Sequence, residues 1–163
     1  MIKNIPLYPH SYETAKKNSR QEMDAYQASH SANMQCAEEI KEAIDSHYDG
    51  AYLAQGCENE MIEKYGFERV NFVLAYNIQQ KEYDERISRE NKEWASEYHI
   101  ENDMIDTYSP RNRYIIHTHN GLLDIFANRV RKAQQLFSDM SETVTESEDL
   151  TDETEEQNLN MQF

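Results

Sequence analysis

Residues 77–95, NIQQKEYDERISRENKEWA, contain neither glycine nor proline and include the only tryptophan of the chain. No glycine or proline occurs between Phe67 and Ser109, and strong helix formers fill most of that span. We therefore predict one helix over residues 68–98, about 45 Å long at 1.5 Å per residue. A second long helix is predicted to begin at the capping box that Ser19 and Glu22 form, and to end at Asp49-Gly50.

The predicted helix over residues 68–98 carries two adjoining rows of side chains at helical spacing. One row is aromatic and is a candidate protein interface; it includes Tyr76, Tyr83 and Trp94. The other, which we call the polar row, consists of Asn77, Lys81, Asp84, Ser88 and Asn91. A new helix beginning at Ser88 would break this alignment, because serine is a favoured N-terminal cap.

Two polar residues, His30 and Asn33, interrupt the apolar stripe of the helix that begins at Ser19. A buried amide or imidazole without a partner costs about 1 to 3 kcal/mol, so both need hydrogen bonds. We predict that they meet the polar row, with a contact between Asp84 and His30. Two interpretations stay open: an interior network that fixes the helices, which we favour, and a ligand or catalytic site.

The remaining elements are shorter. We predict helices over Tyr12–Asn18 and over residues 57–65, the latter ending at Gly66, and a last helix capped by Asn120 or Thr118. Residues 113–118, RYIIHT, form the best extended segment, with no strand to pair with. The predicted fold is mainly α: a single compact helical domain with two long helices and at most a minor extended segment.

Composition divides the chain into a domain, residues 1–137, and an acidic tail, residues 138–163. The tail carries nine acidic and no basic residues and few large apolar groups. Such a segment cannot bury enough apolar surface to offset the entropy of ordering, so we predict that it is disordered. The domain retains 22 acidic and 16 basic residues, which gives it a formal charge of −6 of the total −15.

This charge argues against direct nucleic acid binding, which normally depends on clustered Lys and Arg. It favours a protein partner with a basic surface. No run of apolar residues approaches the length of a membrane span, and the N-terminus has no apolar signal region. We therefore expect a cytoplasmic protein whose Cys36 and Cys57 are buried, reduced thiols.

Motifs for catalysis are lacking: no glycine-rich phosphate loop and no nucleophile elbow occurs. His117 and His119 have the spacing of two zinc ligands on a strand, but the sequence specifies no third or fourth ligand. We predict no catalytic residue, no metal and no cofactor, and the balance favours a protein that is not an enzyme.

Four segments resemble an uncharacterised domain family that is carried by conjugative elements and phages of gut Firmicutes, often near antirestriction-type genes. They are residues 8–18 (YPHSYETAKKN), 29–44 (SHSANMQCAEEIKEAI), 68–95 (ERVNFVLAYNIQQKEYDERISRENKEWA) and 119–132 (HNGLLDIFANRVRK). The chain departs from the family pattern at Asn120, where the resemblance predicts proline, and in its long acidic tail. The resemblance implies a mobile-element accessory protein and supplies no catalytic residues.

The sequence thus predicts a protein that acts by binding another protein, with inhibition of a host nucleic-acid-handling defence enzyme as the function that the resemblance implies. The alternative is a small-ligand-binding or catalytic domain that uses Asn77, Lys81, Asp84 and Asn91 together with His30. The oligomeric state and the identity of the partner are not specified by the sequence.

Overall fold

The computed structural model describes residues 2–101 and 114–158. A short 3₁₀ turn, Ile2–Asn4, precedes the first helix. Six α-helices follow within the described residues: α1 (Tyr12–Asn18), α2 (Arg20–His47), α3 (Asn59–Tyr65), α4 (Phe67–Gln80), α5 (Arg89–Ser96) and α6 (Asn120–Asn158). The described residues contain no strand, only an isolated bridge between Tyr48 and Leu53. The mainly α class is confirmed.

The N-terminal half follows the predicted capping signals. Ser11 caps α1, and Ser19 ends α1 and caps α2 by accepting a hydrogen bond from the Glu22 N–H at 3.1 Å. Gly66 ends α3 in a backbone conformation with φ of +83° that favours glycine, as predicted from its position after Tyr65. Residues 6–9 form neither helix nor turn and connect the 3₁₀ turn at Ile2–Asn4 to the start of α1.

Apolar faces of α2, α3, α4 and α6 and the segment after Tyr114 form the core. Its largest completely buried side chains are Tyr76, Phe126, Ile40, Ile44, Leu74, Ile78, Ile87, Ile116 and Leu123. Cys36 and Cys57 are buried and free, and burial raises the pKa of the Cys36 thiol to about 12. Cys36 therefore packs as a small apolar residue and stays protonated at neutral pH.

The single helix predicted over residues 68–98 is wrong. Helix α4 ends at Gln80, where the Lys81 N–H donates to the carbonyls of Asn77 and Ile78. The chain then turns, and Ser88 caps α5 by accepting from the Asn91 N–H at 3.2 Å. The cap signal at Ser88 outweighed the absence of glycine and proline, and the second long helix is α6.

Residues 115–117 form neither helix nor turn, which fits the predicted extended segment, but Tyr114 lies in a turn and Thr118 in a bend, and Arg113 lies outside the described residues. Helix α6 begins at Asn120, so its cap is His119 and neither Asn120 nor Thr118. The His119 carbonyl accepts from the Leu123 N–H at 3.1 Å, and its Nδ1 accepts from the Gly121 N–H at 3.0 Å.

The chain divides into two compact units, Met1–Val130 and Arg131–Phe163. The first contains α1 to α5 and the buried core. The second continues α6, and its large apolar side chains Leu136, Phe137 and Met140 are all more than half exposed. The predicted boundary at residue 137 and the predicted disorder of residues 138–163 stay predictions.

Candidate functional site

Asn77 of α4 is completely buried. Its side-chain carboxamide both donates and accepts a backbone hydrogen bond, as a peptide group in a β-strand does. Its Nδ2 donates to the Tyr114 carbonyl at 2.8 Å, and its Oδ1 accepts from the Ile116 N–H at 2.7 Å. In a parallel sheet, the peptide N–H and C=O of one residue bond in the same way to two residues of the neighbouring strand, namely those that flank the residue opposite. The extended segment therefore has its missing partner, and that partner is a side chain.

Lys81, one turn further along, completes this attachment. Its Nζ donates to the Ile116 carbonyl at 2.8 Å, and burial lowers the pKa of the amine. No carboxylate forms an ion pair with Lys81 among the described residues. The first two members of the polar row thus hold the segment 114–116 against α4.

Asp84 belongs to a different group, in the turn between α4 and α5. Its carboxylate accepts from Arg86 Nη2 at 2.7 Å and from Asn120 Nδ2 at 2.6 Å. Hydrogen bonds from Arg86 and Asn120 hold the pKa of Asp84 well below its usual range, so the carboxylate stays ionised and is not a proton donor at neutral pH. The predicted contact with His30 is wrong.

Ser88 and Asn91 form a third group with Asp124 of α6. The Ser88 N–H donates to Asp124 Oδ1 at 2.9 Å, and Asn91 Nδ2 donates to the same oxygen at 2.6 Å. Asn91 is completely buried. The polar row is therefore divided among three separate sets of partners and does not converge on one cavity.

Arg69, a buried arginine on α4 that is 2% exposed, is not among the residues predicted from the sequence. Its guanidinium donates to Asn33 Oδ1 at 2.8 Å, to Ser29 Oγ at 3.1 Å, and to the carbonyls of Ile5 and Pro6 at 2.8 and 3.3 Å. All these acceptors are neutral, and burial lowers the pKa of the guanidinium. Asn33 thus has its partner in Arg69 and not in the polar row.

A signal for Arg69 was present in the sequence. Residues 69, 73, 76 and 77 recur at steps of four, three and one, which places Arg69 on the same face of α4 as the buried Val73, Tyr76 and Asn77. An arginine on a core face needs acceptors, and the same argument that singled out His30 applies to it.

His30 lies between two tyrosines on the wall of a small cavity. Its Nδ1 is 3.0 Å from the Tyr114 hydroxyl and 3.4 Å from the Tyr26 hydroxyl. The cavity also has Ser29 and Glu101 in its wall and a volume of about 10 Å³, the space of one water molecule. This volume suits a bridging water and is too small for an organic ligand.

The three rings proposed as an interface do not share one surface. Tyr76 is completely buried, where it packs edge-on against Tyr114 at 5.2 Å between centroids. Tyr83 is 81% exposed in the turn after α4. Trp94, on α5, is half-buried and packs against Tyr98. The three rings are separated because α4 and α5 are two helices and not one. Tyr76 is buried and is not available to a partner.

Carboxylates dominate the surface of the C-terminal half of α2. Glu38, Glu42, Asp45 and Asp49 follow one another at steps of four, three and four residues and are exposed. We call these four residues the α2 acidic stripe. One lysine, Lys41, pairs with Asp45 at 2.6 Å. The stripe therefore presents more negative than positive charge along one face of α2 and at the start of the loop that follows it.

The described residues contain no group of three or more His, Cys, Asp or Glu side chains placed to hold a metal ion. Within that same part of the chain, no helix combines the length and the apolar character needed to cross a membrane.

Comparison with known proteins gives one result. No curated protein and no solved structure gave a significant match. A family model described as a protein of unknown function, DUF3849, matches residues 7–135, which include all of α1 to α5 and the first part of α6. The chain therefore belongs to the DUF3849 family of proteins of unknown function.

Proposed function

We propose that this chain is a protein-binding accessory protein whose acidic surface engages the basic surface of another protein. The observation that carries the proposal is the α2 acidic stripe, in which three exposed carboxylates lie on one face of α2 and that of Asp49 follows just beyond the end of the helix. Charge fixed on a helix directs the approach of an oppositely charged partner and raises the rate of association.

Three cationic side chains are not paired with surface carboxylates. Arg69, Lys81 and Arg129 all donate to neutral acceptors and to no carboxylate. Among the described residues, the carboxylates that form ion pairs are Asp45 with Lys41, Glu39 with Lys64, Asp84 with Arg86, Glu93 with Arg89 and Glu101 with His10. The pair of Asp45 with Lys41 is the one that involves the α2 acidic stripe, so the stripe keeps a net negative charge.

The partner class is a nucleic-acid-handling enzyme, because such enzymes have basic clefts for phosphates. The resemblance to a family of conjugative elements and phages supports a host defence enzyme as the target and a place in the cytoplasm. The alternative of a ligand or catalytic site on Asn77, Lys81, Asp84 and Asn91 with His30 has no comparable support, since these groups bond to separate partners.

Affinity capture from a host-type lysate tests the proposal. The full chain and a chain ending at Phe137 are immobilised, and bound proteins are identified by mass spectrometry at about 0.05 M and about 0.5 M salt. We expect a nucleic-acid-handling enzyme that is retained at low salt and released at high salt, and whose cleavage of DNA or RNA the protein inhibits.

Two charge variants make the test specific. The double variant Glu38→Gln, Glu42→Gln removes two charges from the α2 acidic stripe, and we expect it to lose most of the capture. The matched control, Glu82→Gln with Glu85→Gln, removes two equally exposed charges from the turn after α4. Equal loss with both variants, or capture that does not depend on salt, would contradict the proposal.

A further inference from the structure

The α2 acidic stripe leads into a loop, residues 48–53, that presents two exposed aromatic rings, of which that of Tyr52 is the more exposed. Asp49 Oδ1 accepts from the N–H groups of Ala51 and Tyr52 at 2.8 and 2.7 Å. Gly50 has φ of +99°, which permits the tight reversal. The Tyr48 hydroxyl donates to the Gly50 carbonyl at 2.8 Å. The loop therefore holds its shape through its own bonds.

Arg129 of α6 fixes the far end of this loop. Its guanidinium donates to the carbonyls of Leu53 and Ala54, each at 2.7 Å. Leu53 is buried in the core at 4% exposure. With both ends of the loop held, Tyr52 has a fixed backbone position although its side chain is 78% exposed. A ring presented in this way costs little conformational entropy when it binds a partner.

A groove lies between the loop and the first turns of α6, with a volume of about 380 Å³. Its apolar walls are Tyr48, Tyr52, Leu122 and Ile125, and both Tyr48 and Ile125 are about 40% exposed. The groove is large enough for one or two apolar side chains. Exposed apolar surface of this kind, next to charged residues, is typical of protein interaction sites.

The charges beside the groove are those of the α2 acidic stripe. Asp45 lies one turn before Tyr48 and accepts from Thr118 Oγ1 at 3.5 Å, close to where α6 begins. Asp49 lies within the loop itself. Of the cationic residues near the groove, Arg129 is bonded to backbone carbonyls and Arg86 is paired with Asp84. A partner thus meets apolar walls on one side and carboxylates on the other.

We propose that this groove docks a basic segment of the partner protein, with an apolar side chain of that segment between Tyr52 and Ile125 and its Lys or Arg residues along the α2 acidic stripe. The inference rests on the proposed function and specifies where contact occurs. The face of the Tyr52 ring also suits a Lys or Arg cation. A second copy of this chain fits less well, because each copy carries a charge of −15.

The test is an NMR titration of the full chain with two synthetic peptides. The first has four lysines flanking a Leu-Trp pair, and the second has the same lysines flanking Gly-Gly. We expect the first peptide to bind about tenfold more tightly, a difference of about 1.4 kcal/mol. The largest shifts of amide signals are expected at Tyr52 and at residues 121–125.

Two tyrosines of nearly equal exposure supply the matched variants. Tyr52→Ala is expected to reduce the affinity for the Leu-Trp peptide to that for the Gly-Gly peptide. Tyr83→Ala removes a ring that is 81% exposed and lies outside the groove, and we expect no change. Tyr52→Phe keeps the ring and is expected to bind as the unaltered chain does, and circular dichroism verifies that each variant is folded.

Each contrary outcome points to a different failure. If both peptides bind equally and shift only signals along α2, the groove is not the docking site, although the acidic surface still binds a basic partner. If neither peptide binds, the proposed function fails together with this inference. If sedimentation shows self-association that Tyr52→Ala abolishes, the groove is an interface between two copies and the proposal is overturned.

Discussion

Two neighbouring parts of the chain, residues 77–81 and residues 84–86, use similar side chains in opposite ways. Asn77 and Lys81 are buried and bond to the backbone of the segment 114–116. Asp84 and Arg86 form an ion pair with each other, and the Arg86 side chain is 54% exposed. The first pair joins parts of the chain that are distant in sequence, whereas the second is mainly local.

This difference shows that the surroundings of a polar side chain determine how much it stabilises the fold. Removing a buried partner leaves another buried group without a hydrogen bond, and that group cannot turn to water. Removing an exposed partner leaves a group that water solvates at once. Five variants test this contrast, and we give them from the largest expected effect to the smallest.

Replacing Asn77 should have the largest effect. Asn77→Ala removes the hydrogen bonds to the Tyr114 carbonyl and the Ile116 N–H and opens a cavity, so we expect a loss of about 3 to 4 kcal/mol in the free energy of unfolding. Denaturant unfolding followed by circular dichroism measures it. Asn128→Ala, on the exposed face of α6, is the control and should change stability by less than about 0.5 kcal/mol.

Arg69→Met tests the second interior group. The variant keeps an apolar stem and leaves the carbonyls of Ile5 and Pro6 without their donor, so we expect about 2 kcal/mol of destabilisation. Hydrogen exchange should show the loss of protection at the Tyr8 N–H, which is bonded to Ser29 Oγ at 3.0 Å. The exposed Arg20→Met serves for comparison; equal effects of the two changes would break the contrast between interior and surface.

Ser88→Ala removes the cap of α5, and Ser19→Ala removes the cap of α2. Each hydroxyl accepts one backbone hydrogen bond, at 3.2 and 3.1 Å, and each loss should cost about 1 kcal/mol. Thermal unfolding of the two variants compares them directly. A cost for Ser88→Ala near that of Asn77→Ala would show that the cap also supports the bonds of Asn91 to Asp124.

Asp84→Asn should have the smallest effect, and the effect should depend on pH. The pKa of Asp84 in the folded protein lies below its unfolded value of about 3.9, because Arg86 and Asn120 donate to the carboxylate. Its contribution to stability is therefore present above that value and is lost as the pH falls below it. Denaturant unfolding should show a constant difference between the two proteins from pH 7 to about pH 5 and a difference that shrinks as the pH falls below about 4; a difference that does not shrink there would refute the assignment.

Most of the fold could be predicted from local signals in the sequence. Ser19 and Gly66 mark helix boundaries through bonds within one or two turns, and the structure has them where the sequence places them. The helix over residues 68–98 could not be predicted correctly from the absence of glycine and proline. The turn at residues 81–88 depends on bonds to α6, from Asn120 to Asp84 and from Ser88 and Asn91 to Asp124.

The polar residues were identified, but their partners were not. Periodicity showed that His30, Asn33 and Asn77 face the core, and a buried polar group needs a partner. It did not show that Asn33 would bond to Arg69, or Asn77 to a backbone segment 37 residues away. Such pairings depend on the positions and angles at which the helices cross, and a single sequence does not specify these.

The position of Trp94 also gives the protein a built-in optical probe. The only tryptophan of the chain is half-buried on α5, with its ring 5.2 Å from that of Tyr98, while Gln79 of α4 donates to the carbonyls of Ala95 and Tyr98. Its emission therefore reports the attachment of α5 to α4. A tryptophan-free peptide bound in the groove beside Tyr52 should leave this signal unchanged, whereas separation of the two helices should shift it to longer wavelength.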